Sequence, residues 1–446
     1  MKTKIFLFLA VLSTTCIATN LCAMPLPAPK IVYDDPKVLD GNFAWWISTD
    51  GSCLVSGAPG TESVAAFRWG GNNWTLSDRI LPPSVEAGAQ FGRRHAISED
   101  GKTLAVCAPF DDQFGSDAGV LFLYEGPGDC TFPTLVQTLK GSDTNQFDQF
   151  CSSVDFNSDG LAVVVGAAYA DKVYEFSRAS LGQQFGNEKK VTYSGDDAGG
   201  LPGYSVCLDG NIGDNMLWVI GIPLAWSEAG GDDWFGRVEV REKNRGGTNN
   251  WGVRNGITFA NAERIGWNTD CSREDNLVLA GAPLDMTSGG SSGFVPETTG
   301  QGRGAVYVTK LEGTSSFSLA QKLVSEDPQN DGEFGRVVSY DKFEKQLLVT
   351  APFNDVGALE NMGRSQTYRW NGSSFVRRDT LIVLHTEEFE EYGLSGVAAR
   401  GRVFIGSPFA DIGGPLDSGV VFAYYNPLFT DGFESGTTTA WSTTVP

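Results

Sequence analysis

One phrase recurs seven times along this chain, and it constrains the fold more than any single residue does. A Phe-Gly-like pair opens an alternating strand, a turn follows, and a second strand ends in a Gly-Ala-Pro-like triplet. The clearest copy runs from Phe91-Gly92 through Glu99-Asp100-Gly101 to Cys107-Ala108-Pro109. The pairs are read at Asn42-Phe43, Phe91-Gly92, Phe150-Cys151, Pro202-Gly203, Ile265-Gly266, Phe334-Gly335 and Tyr392-Gly393. A third apolar-alternating segment follows each triplet, as in 63–69 and 304–309, and fourth segments are readable at 134–139 and 318–323. Period-two alternation with β-branched and aromatic residues between glycines predicts strands.

Copies begin about 50 to 70 residues apart, the size of a four-stranded antiparallel unit. One such unit cannot bury both of its faces, whereas a ring of them leaves only short edges. The expected fold is therefore all-β, a seven-bladed β-propeller over residues 30–426. A β-helix is the structural alternative, but its coils are shorter and more regular. The last copy lacks a fourth strand, and the unassigned stretch 30–39 stands where one is needed. The expectation is that this N-terminal segment completes the seventh blade and closes the ring.

Composition narrows the function classes. The 446-residue chain carries a net charge of −21, which excludes the basic footprint that nucleic acid requires and disfavours docking on anionic lipid. Residues 1–23 read as a secretory leader: Lys2 and Lys4, an apolar run from Ile5 to Leu12, and a small-residue end at Leu21-Cys22-Ala23. Its loss takes the charge to −23. The apolar run is too short to span a membrane, and no later stretch is long enough, so a secreted, periplasmic or cell-surface location is expected. Six cysteines remain: Cys53, Cys107, Cys130, Cys151, Cys207 and Cys271. They permit three disulfides in fifteen connectivities. Equally, cysteine fills tight places: Cys107 stands where another copy has Gly57, and Cys151 is the second member of its pair.

The Phe-Gly and Gly-Ala-Pro repeat resembles the FG-GAP repeat of integrin α-subunit propellers, closest to a bacterial variety with a short Asp-Gly turn in place of the calcium loop. The resemblance covers nearly the whole mature chain. It implies that the loops joining strand four to strand one and strand two to strand three gather on one face, which in integrins binds protein ligands. It also implies calcium where a turn between strands one and two carries carboxylates at alternate positions. Asp155, Asn157 and Asp159 fit that pattern, although Val163 stands where a later carboxylate belongs. Without a metal, such residues satisfy the turn backbone.

Binding candidates lie where the copies differ. The fourth loop between strands two and three holds Trp226, Asp232, Asp233 and Trp234, and the fifth begins at Asp285 and contains Phe294. Long loops with aromatic residues are where a rigid ring places specificity. An acid also recurs after the triplet, at Asp112, Asp355 and Asp411, either as an acidic rim or as a brace for its own loop. Signs of catalysis are sparse. His95 and His385 are the two histidines; His95 occupies a first-strand position expected to be buried, and His385 precedes an acidic run. No His-Glu-x-x-His or phosphate-loop motif occurs. The expectation is a non-enzymatic recognition propeller presenting variable loops to a protein or glycan. The alternatives are a carboxylate-dependent hydrolase or lyase at the central channel and a scaffold of a surface assembly. The tail 427–446, with Asp431-Gly432-Phe433-Glu434-Ser435-Gly436 before Trp441-Ser442, resembles a sorting tag of exported bacterial proteins.

Overall fold

The computed structural model describes residues 30–31 and 41–425, apart from 72, 85–86, 213–215, 226–234, 246, 249, 260–262, 286–301, 314, 384–390 and 411–417. The expected leader and tail, His385, Trp226, Asp232, Asp233, Trp234, Phe294 and Asp411 lie outside the described residues. Seven four-stranded antiparallel sheets form a ring, each built from consecutive strands except the last. Their innermost strands are Ile47–Thr49, Arg94–Ile97, Ser153–Phe156, Ser205–Asp209, Asn268–Ser272, Val338–Asp341 and Ser395–Ala399. The second strand of each blade is almost wholly buried, as in Cys53–Ala58 and Leu277–Ala282, because it is sandwiched between neighbouring blades. The outermost strands are mixed in exposure, as in Phe375–Leu381. The seventh blade takes its outer strand from the other end of the chain: Lys30 pairs with Phe422 and Ile31 with Val421. That seam joins both ends into one sheet, as the missing fourth strand predicts.

The repeat has a physical cause at the blade junction. The second residue of each opening pair has positive φ, between 70° at Ala44 and 99° at Gly393. This corrects the first copy by one residue: its pair is Phe43-Ala44, not Asn42-Phe43. The left-handed turn aims that residue's carbonyl at the second strand of the preceding blade. The Gly92 carbonyl oxygen lies where a Cβ on Gly57 would sit, and the carbonyl oxygens of Gly203, Gly266 and Gly335 do the same at Gly166, Gly221 and Gly281. At these four junctions glycine is therefore used twice, once for φ and once for clearance.

The second and third blades solve the same junction differently. Cys107 and Cys151 occupy the two paired positions and form a disulfide. Cys53–Cys130 joins the first blade to the second, and Cys207–Cys271 joins the fourth to the fifth. All six cysteines among the described residues are thus cross-linked between neighbouring blades. Among the described residues no helix is long and apolar enough to cross a membrane.

Candidate ligand-binding channel

The innermost strands surround a central channel, and their inward edges carry backbone N–H groups without a ladder partner. Such groups need acceptors, and polar side chains of the preceding blade supply them. Asp155 Oδ2 accepts from Leu208 N at 2.8 Å, Asp270 Oδ2 from Tyr340 N at 2.6 Å and Asn268 Oδ1 from Val338 N at 2.9 Å. Asp341 and Ser339 serve Gly401 N and Ala398 N in the same way. Such side chains staple the third blade to the fourth, the fifth to the sixth and the sixth to the seventh along the channel wall.

Burial acts strongly on this wall. Withdrawal from bulk water pushes Asp155 up to about 8, and the nearby Asp270 and Asp209 add to that. Asp270 is pushed up to about 7, again chiefly by withdrawal from water. His95 is buried and pushed down to about 3 for the same reason. Its Nδ1 lies 2.8 Å from Ser48 Oγ, and its Nε2 donates to the Trp46 carbonyl at 3.1 Å. A neutral imidazole between one donor and one acceptor is a structural group, as its strand position suggests.

Toward the end away from the Phe-Gly pairs, one side chain bridges several blades across the channel. Lys342, on the sixth blade, reaches Asp209 Oδ1 on the fourth at 2.7 Å and Ser158 Oγ on the third at 2.9 Å, and pairs with Glu99 on the second. The space above this bridge comprises two adjoining cavities of about 200 and 210 Å³. Asp155, Asp270 and the Cys207 end of a disulfide border both.

At the other end, where the Phe-Gly pairs lie, the described residues surround the channel with aromatic and arginine side chains. The residue after each pair is half-buried at the rim: Trp45, Arg93, Ser152, Tyr204, Trp267, Arg336 and Leu394. They stack in two arcs. Phe409 packs edge-on to Trp45 at 6.2 Å, and the Arg93 guanidinium lies 5.7 Å from the Trp45 ring and 5.4 Å from Phe110. Opposite, Tyr204 meets Trp267 at 4.7 Å, and Arg336 lies 4.7 Å from Trp267 and 5.9 Å from Phe353. One residue deeper, Arg94 covers Trp46 at 4.2 Å. Sequence reading missed this rim, although its signal exists: the column immediately after the repeated pair is enriched in Trp, Tyr and Arg.

The expected site residues fall elsewhere. Asp112 and Asp355 are exposed and brace their own loops, accepting from Asp117 N at 2.7 Å and Asn361 N at 3.0 Å. Asp285 is fully buried, accepting from Tyr307 Oη at 2.5 Å and pairing with Lys322 at 3.0 Å. Asp155 reaches Leu208 on the fourth blade, while Asn157 and Asp159, hydrogen-bonded to each other, reach Gly210 and Ile212 farther along it. Asn157 Oδ1 accepts from Ala162 N at 2.7 Å, and Asp159 accepts from Leu161 N and Ile212 N. Among the described residues no three His, Cys, Asp or Glu side chains converge to hold a metal ion.

No family model matches the chain, and no curated protein matches it by sequence. Solved structures do match in fold. Hydrazine synthase of Kuenenia stuttgartiensis is similar with a TM-score of 0.52 at 11% identity, covering 82% of this chain and 92% of that one. The periplasmic gluconolactonase of Pseudomonas aeruginosa has a TM-score of 0.48 at 12% identity, covering 76% and 85%. At such identities the likeness speaks for the propeller fold alone.

Proposed function

We propose that this chain is an exported recognition propeller, akin to FG-GAP repeat proteins, that takes a protein or glycan ligand at the mouth of its channel. The observation that carries this reading is the aromatic–arginine rim. Arg and large aromatic side chains dominate binding energy at protein surfaces, and here they are concentrated where loops from every blade meet. The test is to immobilise the mature chain, probe it with a panel of glycans and proteins, and repeat with Trp267→Ala and Arg336→Ala. Loss of the wild-type ligand in both variants, with unchanged melting temperature, supports the reading; retention in both overturns it.

A second reading, a carboxylate-dependent hydrolase or lyase, is favoured by one observation: Asp155 and Asp270 border the same cavities and both are pushed toward neutrality. Carboxyls displaced in this way occur at catalytic sites and in structural networks alike. Their hydrogen bonds to Leu208 N and Tyr340 N give them a stapling role that needs no reaction.

A further inference from the structure

The rim gathers arginines in a strongly acidic chain; Arg336 pairs with Glu333 at 2.7 Å, but Arg93 and Arg94 do not have such a partner among the described residues. Arg93 donates to the side-chain carbonyl of Gln90, and Arg94 donates to the Arg93 carbonyl at 3.3 Å. Both guanidinium groups lie over aromatic rings, Arg93 over Trp45 and Phe110 and Arg94 over Trp46. Stacking holds a guanidinium by its face and leaves its in-plane N–H edge to bind an anion. Enclosure makes the cation costly: Arg94 is pushed down to about 10, first by withdrawal from water, with Arg93 and Arg336 also disfavouring the charge. A guanidinium kept in this position without a described counter-ion is organised for an anion that arrives from outside.

The cavity beneath defines what carries the anion. Its volume is about 210 Å³, room for about seven water molecules, the space of a single sugar ring. Its wall sets Ser48, Asn268 and Thr269 beside Tyr204, together with the carboxyls of Asp155 and Asp270, both pushed toward neutrality by burial, a lining of hydroxyl, amide and carboxyl groups suited to a polyhydroxylated ligand. A planar carboxylate matches the guanidinium fork in a bidentate manner.

Resting on the recognition reading above, we propose that the mouth binds an acidic sugar, with the carboxylate of a uronate held by Arg94 and Arg93 and its ring seated in the cavity below. Calorimetry of the mature chain with glucuronate, glucose, acetate, sulfate and a triglutamate peptide tests this. The expected result is that glucuronate binds best, and that Arg94→Gln weakens it about tenfold or more while the melting temperature is unchanged. Arg94→Lys is expected to recover part of the loss. If Arg94→Gln proves unstable, Arg93→Gln serves as the second variant with the same expectation. Absence of glucuronate binding, binding unaffected by either variant, acetate or sulfate binding as tightly as glucuronate, or a preference for the peptide would each overturn the proposal. Should another ligand still be lost in Trp267→Ala, the recognition reading survives and the acidic-sugar assignment alone falls.

Discussion

Lys342 Nζ stands 2.7 Å from Asp209 Oδ1, joining the sixth blade to the fourth across the channel. Burial alone would raise the Asp209 carboxyl, but the Lys342 ammonium, the Arg273 N–H and the Ser158 hydroxyl outweigh it, and the carboxyl is held below its usual range. The two side chains are 15% and 10% exposed, so the pair belongs with buried ones.

Removing the cation therefore leaves a buried charge stranded. Lys342→Met is expected to cost about 2–4 kcal/mol at pH 7. Asp209 has a depressed folded value, so its contribution is complete above the unfolded carboxyl value near 4 and is lost as pH falls through the folded value. Denaturant melts at pH 7 and pH 3 check this: the variant's deficit should shrink at the lower pH. An equal deficit at both would show that the pair does not couple charge to folding.

Asp155 behaves in the opposite sense. Its folded value of about 8 means that between about pH 4 and 8 the folded protein keeps a proton that the unfolded chain releases. Stability contributed by this group therefore falls as pH rises through that window. Asp155→Asn should be about 1–2 kcal/mol less stable at pH 5, because it loses one of two acceptors for backbone N–H groups, yet show a flatter melting profile from pH 5 to 8. A parallel profile would argue against the raised value.

The blade junction makes a prediction about glycine. Gly221→Ala forces a methyl group into the Gly266 carbonyl, and a loss of about 2–4 kcal/mol is expected. Gly186, with nothing near its would-be Cβ, provides the control: its alanine variant should melt within a degree or two of wild type. Similar melting of the two variants would remove the junction account of the repeat.

Cys107 and Cys151 offer a complementary test. Replacing both with glycine restores the pairing used at four of the other six junctions and should cost only the cross-link, about 2–4 kcal/mol. Replacing both with alanine should cost about 1 kcal/mol more, because residue 151 has φ 75° and position 107 faces its carbonyl. Thermal melts under non-reducing conditions would rank the variants, and the reverse order would contradict the argument.

What the chain disclosed in advance depended on how local the cause was. The opening pairs and triplets act between adjacent strands and blades, so their repetition exposes the ring and even its closure at Lys30–Ile31. The one-residue shift at Phe43-Ala44 arose because alanine disguised the position that φ requires. Cys107–Cys151 was legible in part, since both stand at glycine positions, but pairing needed the junction geometry. The Lys342 bridge was hidden because its partners are drawn from three other blades, at sequence distances no periodicity connects. The rim was missed because attention went to long loops, whereas its residues sit inside the repeat, one place beyond the pair that defines it.

The three disulfides are distributed unevenly. They tie the first blade to the second, the second to the third, and the fourth to the fifth, while the junctions from the fifth blade through the seventh and back to the first rely on packing and hydrogen bonds. Under mechanical load or partial reduction, the ring has a built-in order of failure. It should part first on the side that lacks cross-links, from the fifth blade round to the first, and open like a clasp, leaving the first three blades as the fragment that holds together longest.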